Sequence, residues 1–406
     1  MKSAHTDIEN LDYVDMLRGL AILAVLMVHC TQGLSAVGLQ HLPLNLEYLM
    51  YAGKHGVALF FVVSSYTLMR SMNNRVNTEH HAIFKYFLRR FFRVAPAYYL
   101  VLLIVFFALG TGSIYYSNPA ALKLFLTDLI THLLFINGFF PYYMNDFLGV
   151  EWSIPTEFTF YIVIPFIFMW LNKDTINLIP PKRIYWLCVV SILVLWLMVF
   201  KGKYLYVVIG DYPESIFKVW KSFFILGNLH TFLIGVVVWA LVQNKKYSIL
   251  NLANKPINKY KNKLKLIVVL VIIFLVAYVE APHSVEISGR STVSFKVWIA
   301  MIWGLLSAEL VLILDEMRPK SIWLLSFLGR ISFSLYLVHM PIYYALSQQN
   351  TMWRVTSVKE VNFLVYAVLA FSLSVLVALI LHYCVELPGI RLGGNVIKHI
   401  SSNQTI

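Results

Sequence analysis

Along the 406-residue chain, apolar runs of helix length alternate with short polar and basic segments. Ten such runs lie near 14–33, 55–71, 91–110, 152–171, 184–201, 219–242, 264–281, 293–314, 326–347 and 362–385. Backbone amides in lipid have no water to bond, so a chain crossing a bilayer in this way must close its hydrogen bonds within helices. The pattern predicts ten transmembrane helices. A further apolar stretch at 120–140 is shorter and is interrupted by Asp128, His132 and Asn137. It predicts a short interfacial or re-entrant helix. The expected fold class is thus an all-α polytopic membrane protein.

Composition supports this reading. Hydrophobic residues make up 59% of the chain and charged residues 13%, against about 25% charged in soluble proteins. A net charge of +13 would suggest nucleic acid on a soluble protein. Here it reports topology, because cytoplasmic loops concentrate Lys and Arg, and no nucleic-acid partner is expected. Taking the ten spans with the N-terminus inside, 22 basic residues fall on the inner side and ten on the outer, with Arg330 within a span. Both termini are therefore expected in the cytoplasm. Residues 1–390 read as one membrane domain and 391–406 as a short cytoplasmic tail, with no appended soluble domain. Asp7, Glu9, Asp12 and Asp15 before the first run argue against a cleaved signal peptide. The three cysteines, all in apolar runs, suggest neither a disulfide framework nor metal spacing.

Polar residues inside the apolar runs point to chemistry. In the first run Arg18, Ile22, Val25 and His29 share one helical stripe, which puts Arg18 and His29 ~16 Å apart along the axis. Asp15 sits one turn before Arg18, too far along to touch His29. Ionisable residues at membrane depth face a bundle interior or a wet cavity and are functional by default. The alternative for Arg18 and His29 is snorkelling to opposite interfaces. Glu157 lies about one and a half turns into the fourth run, where a carboxylate needs a partner or water. Ser332, Tyr336 and His339 lie close together on one face of the ninth. Arg89, Arg90 and Arg93 precede the third run, and either set topology and hold anionic lipid or grip phosphates. Ser64, Ser65 and Tyr66 put polar groups into the second run, where helix packing is the plainer account.

In order, these stretches resemble the acyltransferase 3 family of integral membrane acyltransferases over nearly the whole chain. DMLRGLAILAVLMVH resembles its Asp–x–Leu–Arg–Gly, apolar run and histidine. GVALFFVVSSY resembles its second-helix element, and RRFFRVAPAYY its arginine-rich lead into the third helix. EWSIPTEFTFY resembles its Trp–Ser–x–x–x–Glu element, and GRISFSLYLVHMP its Ser–Leu–Tyr–Leu–x–His element. Ser65 stands where the family usually has glycine, Tyr66 where Phe is common, and Ala58 where many members are polar or acidic.

The resemblance implies acyl transfer, usually acetyl, from cytoplasmic acyl-CoA to a hydroxyl of a cell-surface or lipid-linked polysaccharide such as lipopolysaccharide. It implies a multi-pass protein of the bacterial inner membrane, using acetyl-CoA as donor and no metal. His29 is then the expected base, since a hydroxyl is a poor nucleophile near neutral pH. Asp15 is expected to orient Arg18, and Glu157 to bind acceptor hydroxyls or transfer a second proton. Arg18, Arg89, Arg90 and Arg93 are expected at the CoA phosphates and pantetheine, with Ser64 and Tyr66 also on the donor side. Trp152, Tyr161, Tyr336 and His339 are expected to line the acceptor site. The oxyanion donor stays open, as does passage of the acyl group through His29. A transporter or flippase of an anionic or glycolipid substrate is the competing function; the lack of an internal repeat weakens it.

Overall fold

The computed structural model describes residues 12–31, 44–109, 122–145, 147–173, 179–200, 225–251, 259–285, 293–348 and 355–402. Every regular element among them is helical. The first half of the chain forms α1 (Asp12–Cys30), α2 (Leu44–Tyr51), α3 (Gly56–Arg75), α4 (Ala82–Leu109), α5 (Leu122–Leu133), α6 (Ser153–Leu171) and α7 (Pro181–Phe200). The second half forms α8 (Ile225–Asn251), α9 (Lys259–Val285), α10 (Val293–Met317), α11 (Trp323–Arg330), α12 (Ser332–Ser347), α13 (Lys359–Leu381) and α14 (Leu387–Ser402).

Among the described residues six helical stretches are long and apolar enough to cross a membrane: α1, α4, α6, α8, α9 and the run Lys359–Ser402. Helices α11 and α12 meet at 76° and together make a seventh, as a broken span or a re-entrant loop. The count is therefore six or seven where ten spans were expected. Helices α3, α7 and α10 occupy the other three expected positions. Helix α3 closes on Arg70, Asn73, Asn74 and Arg75, and α10 carries Glu309, Asp315 and Glu316, which dilutes their apolar character. Parts of the expected spans at 32–33, 110, 201 and 219–224 lie outside the described residues. So do Lys2, Lys201, Lys203, Lys218, Lys221, Lys255, Arg290, Arg354 and residues 403–406 of the expected tail.

Helix α1 sits at the centre, against α3, α11 and α12. Its approach to α11 depends on two glycines. A Cβ on Gly19 would collide with the Leu325 carbonyl, and one on Gly329 with the Asp15 carbonyl. In lipid, such close backbone packing substitutes for a hydrophobic drive between helices. The second tight contact joins α3 to α8. The Ser65 hydroxyl donates to the Phe61 carbonyl at 2.9 Å, and a Cβ on Gly235 would run into that hydroxyl and the Val62 carbonyl. The bulk of the Ser65 side chain is thus taken up by a glycine on the facing helix.

Helix α5 falls where the short helix was expected, and its polar residues have a structural use. His132 Nδ1 lies 3.0 Å from Asp128 Oδ1, and His132 Nε2 lies 3.6 Å from Glu151 Oε1. Glu151 also accepts the Phe147 N–H at 2.7 Å. This buried cluster clamps the turn that leads into α6. At the far end, residues 391–402, the described part of the expected tail, are helical, and Gly389 and Gly393 fit against Phe92 and Pro96 of α4.

Candidate active site

A cavity of about 270 Å³ opens among α1, α3, α4, α6 and α12. Each wall is a stripe set by helical period. Helix α3 contributes Ser64, Thr67 and Ser71; α4 contributes Arg90 and Arg93; α6 contributes Ser153, Glu157 and Tyr161. Arg18 comes from α1, and Ser332 and Tyr336 from α12.

Three guanidiniums therefore face a wall whose single carboxylate, among the described residues, is Glu157. That carboxylate already accepts a 2.6 Å hydrogen bond from the Ser64 hydroxyl. Arg90 lies over the rings of Tyr86 and Tyr161 at 5.8 and 5.9 Å, and its buried Nε–H has no hydrogen-bond partner among the described residues. Buried donors normally find partners, so this arrangement suits an anion. Ser153 donates to the Tyr336 hydroxyl at 2.9 Å, and that hydroxyl donates to the Val150 carbonyl at 2.7 Å. Tyr336 is thereby held in place on the wall.

One turn beyond Tyr336, His339 leaves the cavity wall and meets α1. Its Nε2 is 2.9 Å from His29 Nδ1, and its Nδ1 is 2.7 Å from the Tyr336 carbonyl. His339 is 0% exposed, whereas His29 is half-buried. The histidine pair and the arginine-lined cavity are thus joined through Tyr336, whose ring centre lies 5.5 Å from that of His339.

The acyltransferase domain family matches residues 11–383. The chain belongs to that family. No curated protein and no solved structure matches it. The family and the apolar helices together make the chain a multi-pass membrane acyltransferase.

Of the residues expected to act in this acyltransferase, Arg18, Ser64, Arg90, Arg93, Glu157, Tyr161 and Tyr336 share the cavity; His29 is not on its wall and is linked to it through His339 and Tyr336. Four others lie elsewhere. Arg89 turns to Glu79, 2.8 Å away. The Tyr66 hydroxyl is bound to Asp315 Oδ1 at 3.0 Å, away from the cavity wall. Trp152 packs edge-on against Phe61, with ring centres 6.1 Å apart, behind the wall. Asp15 lies at the end of α1, where its carboxylate sits in the fields of Arg18, Arg330 and Arg93. His339 offers no surface to a substrate, because burial is complete and both ring nitrogens are engaged.

Sequence reasoning passed over Thr67, Ser71 and Ser153. Their signal was present: Thr67 and Ser71 follow Ser64 at three and seven residues, and Ser153 precedes Glu157 by four, so each extends a stripe already in hand. Glu386 was also missed. It is buried, accepts from Ser334 at 2.7 Å and pairs with His382 at 2.8 Å. Among the described residues no group of three His, Cys, Asp or Glu side chains is placed to hold a metal ion.

Proposed function

We propose that this membrane acyltransferase is an O-acetyltransferase of the bacterial inner membrane. In this reading it moves an acetyl group from cytoplasmic acetyl-CoA to a hydroxyl of a cell-surface or lipid-linked polysaccharide. The observation that carries the reading is the cavity with Arg18, Arg90 and Arg93 on its wall and one carboxylate, Glu157, opposite. Guanidinium forks match phosphate oxygens, and such charge-assisted bonds are the stronger ones. At about 270 Å³ the space is at the small end for ligand sites and suits one limb of a CoA ester rather than the whole molecule.

His29 takes the proton of the acceptor hydroxyl as the hydroxyl oxygen attacks the thioester carbonyl. The C–O bond forms, the C–S bond breaks, and the proton passes from His29 to the departing CoA sulfur. The Ser64–Glu157 pair binds acceptor hydroxyls on the cavity wall.

The test is acetyl-CoA turnover by purified protein in lipid, with a sugar acceptor mixture, for wild type, His29→Ala and Arg90→Ala. Wild type is expected to consume acetyl-CoA. His29→Ala is expected to lose about 10²–10⁴-fold in rate with CoA binding retained. A wild type that neither binds nor consumes acyl-CoA removes this reading and brings transport forward.

A further inference from the structure

The geometry around His29 and His339 determines where their protons lie. The Tyr336 carbonyl only accepts, so the His339 Nδ1 that lies 2.7 Å from it carries the hydrogen. A neutral imidazole has one N–H and one lone pair, so His339 Nε2 is the acceptor in its 2.9 Å contact with His29 Nδ1. His29 must therefore donate from Nδ1, which leaves its Nε2 bare.

The opposite arrangement needs a charged His339 that donates from Nε2. His339 is 0% exposed, and its ring neighbours are Tyr336, Tyr343 and His29. Among the described residues no carboxylate pairs with His339, and the one charge that acts on it is that of His29. An imidazolium buried there without a counter-ion carries a large desolvation cost, so the neutral arrangement prevails.

We propose that His339 is a positioning residue that locks His29 in the Nδ1–H tautomer and so exposes His29 Nε2 as the proton-accepting atom. This rests on His29 being the base of the proposed acyl transfer. When His29 Nε2 takes the acceptor's proton, the hydroxyl O–H bond breaks and a second N–H forms on the His29 ring. The existing Nδ1–H bond to His339 Nε2 then becomes charge-assisted, the stronger kind. His339 keeps its own proton on Nδ1, donated to the Tyr336 carbonyl, throughout. A neutral histidine thus orients the base, as a carboxylate does in a Ser-His-Asp triad.

The decisive measurement is nitrogen NMR of the full chain, ¹⁵N-labelled at histidine and reconstituted in lipid, with His29→Asn identifying the His29 signals. Wild type is expected to show His29 with a protonated Nδ1 and a bare Nε2. His339→Phe is expected to move His29 toward the Nε2–H tautomer and to lower kcat roughly a hundredfold, with acetyl-CoA affinity unchanged. His339→Gln presents an amide oxygen to His29 Nδ1 and is expected to restore the tautomer and part of the rate. A wild-type His29 bearing its hydrogen on Nε2 overturns the proposal, even if His339→Phe fails to fold. So does a His339→Phe protein with unchanged His29 signals and kcat. The tautomer is read without turnover. An inactive wild type with the Nδ1–H tautomer therefore counts against the proposed function alone.

Discussion

Two clusters of arginines in this bundle look alike in sequence and differ in their surroundings. On the α3–α10 side, Asp315 accepts from the hydroxyls of Tyr13 and Tyr66 at 2.6 and 3.0 Å. Arg70 and Arg318 approach the same carboxylate at 3.7 and 3.3 Å. Nearby, Arg75 and Arg89 share Glu79 at 3.1 and 2.8 Å. At the cavity, Arg18, Arg90 and Arg93 face Glu157, which Ser64 already occupies. The first cluster satisfies its cations internally and holds helices together. The second leaves donors for a ligand. Arginine content alone does not distinguish a brace from a binding site; the number of facing acceptors does.

Breaking the brace gives the largest expected effect. Asp315→Ala removes the acceptor shared by Tyr13, Tyr66, Arg70 and Arg318. Asp315 is only partly buried, but it is the acceptor for two tyrosine hydroxyls, and a hydrogen bond to a charged group is worth about 1.5–3 kcal/mol, so the unfolding midpoint in detergent should fall. The acetyl-CoA affinity of the protein that remains folded should not change. Arg90→Ala should do the reverse. Removing a charge-assisted donor worth about 1.5–3 kcal/mol weakens acetyl-CoA binding roughly 10- to 150-fold at an unchanged midpoint, as titration calorimetry would show. A falling midpoint with intact binding would make Arg90 a brace as well.

The smallest effect is expected at Arg89, adjacent in sequence to Arg90. Its bridge to Glu79 is partly exposed, with side-chain exposures of 21% and 23%, and bridges of that kind contribute about 0.2–1 kcal/mol. Arg89→Ala should shift stability by no more than that and leave acetyl-CoA affinity as in wild type. If Arg89→Ala weakens binding as much as Arg90→Ala does, the arginines form one continuous patch and the contrast between the two clusters fails.

Much of the candidate site was legible before the fold was known. A 3.6-residue period assigns Ser64 with Thr67 and Ser71, Arg90 with Arg93, and Glu157 with Tyr161 to single faces. An ionisable residue in an apolar run marks that face for use. Arg89 and Arg90 show where such reasoning stops. They are neighbours in one basic run, yet about 100° of helical rotation per residue points one at Glu79 and the other at the cavity. Tyr66 likewise lies two residues from Ser64 in the same motif, on another face, and its hydroxyl belongs to Asp315.

The sequence by itself determined an all-helical membrane protein, its family, and which residues share each helical face. The family rests on its motifs in their order; the rest follows from backbone hydrogen bonding in lipid and from helical period, both local properties of the chain. The tertiary structure decided which faces meet. His29 and His339 are 310 residues apart in the chain, and Ser65 and Gly235 lie on different helices. Period gives a residue its direction but not its partner. The partner is set by how closely the helices pack, and here glycines at 19, 235 and 329 allow that approach.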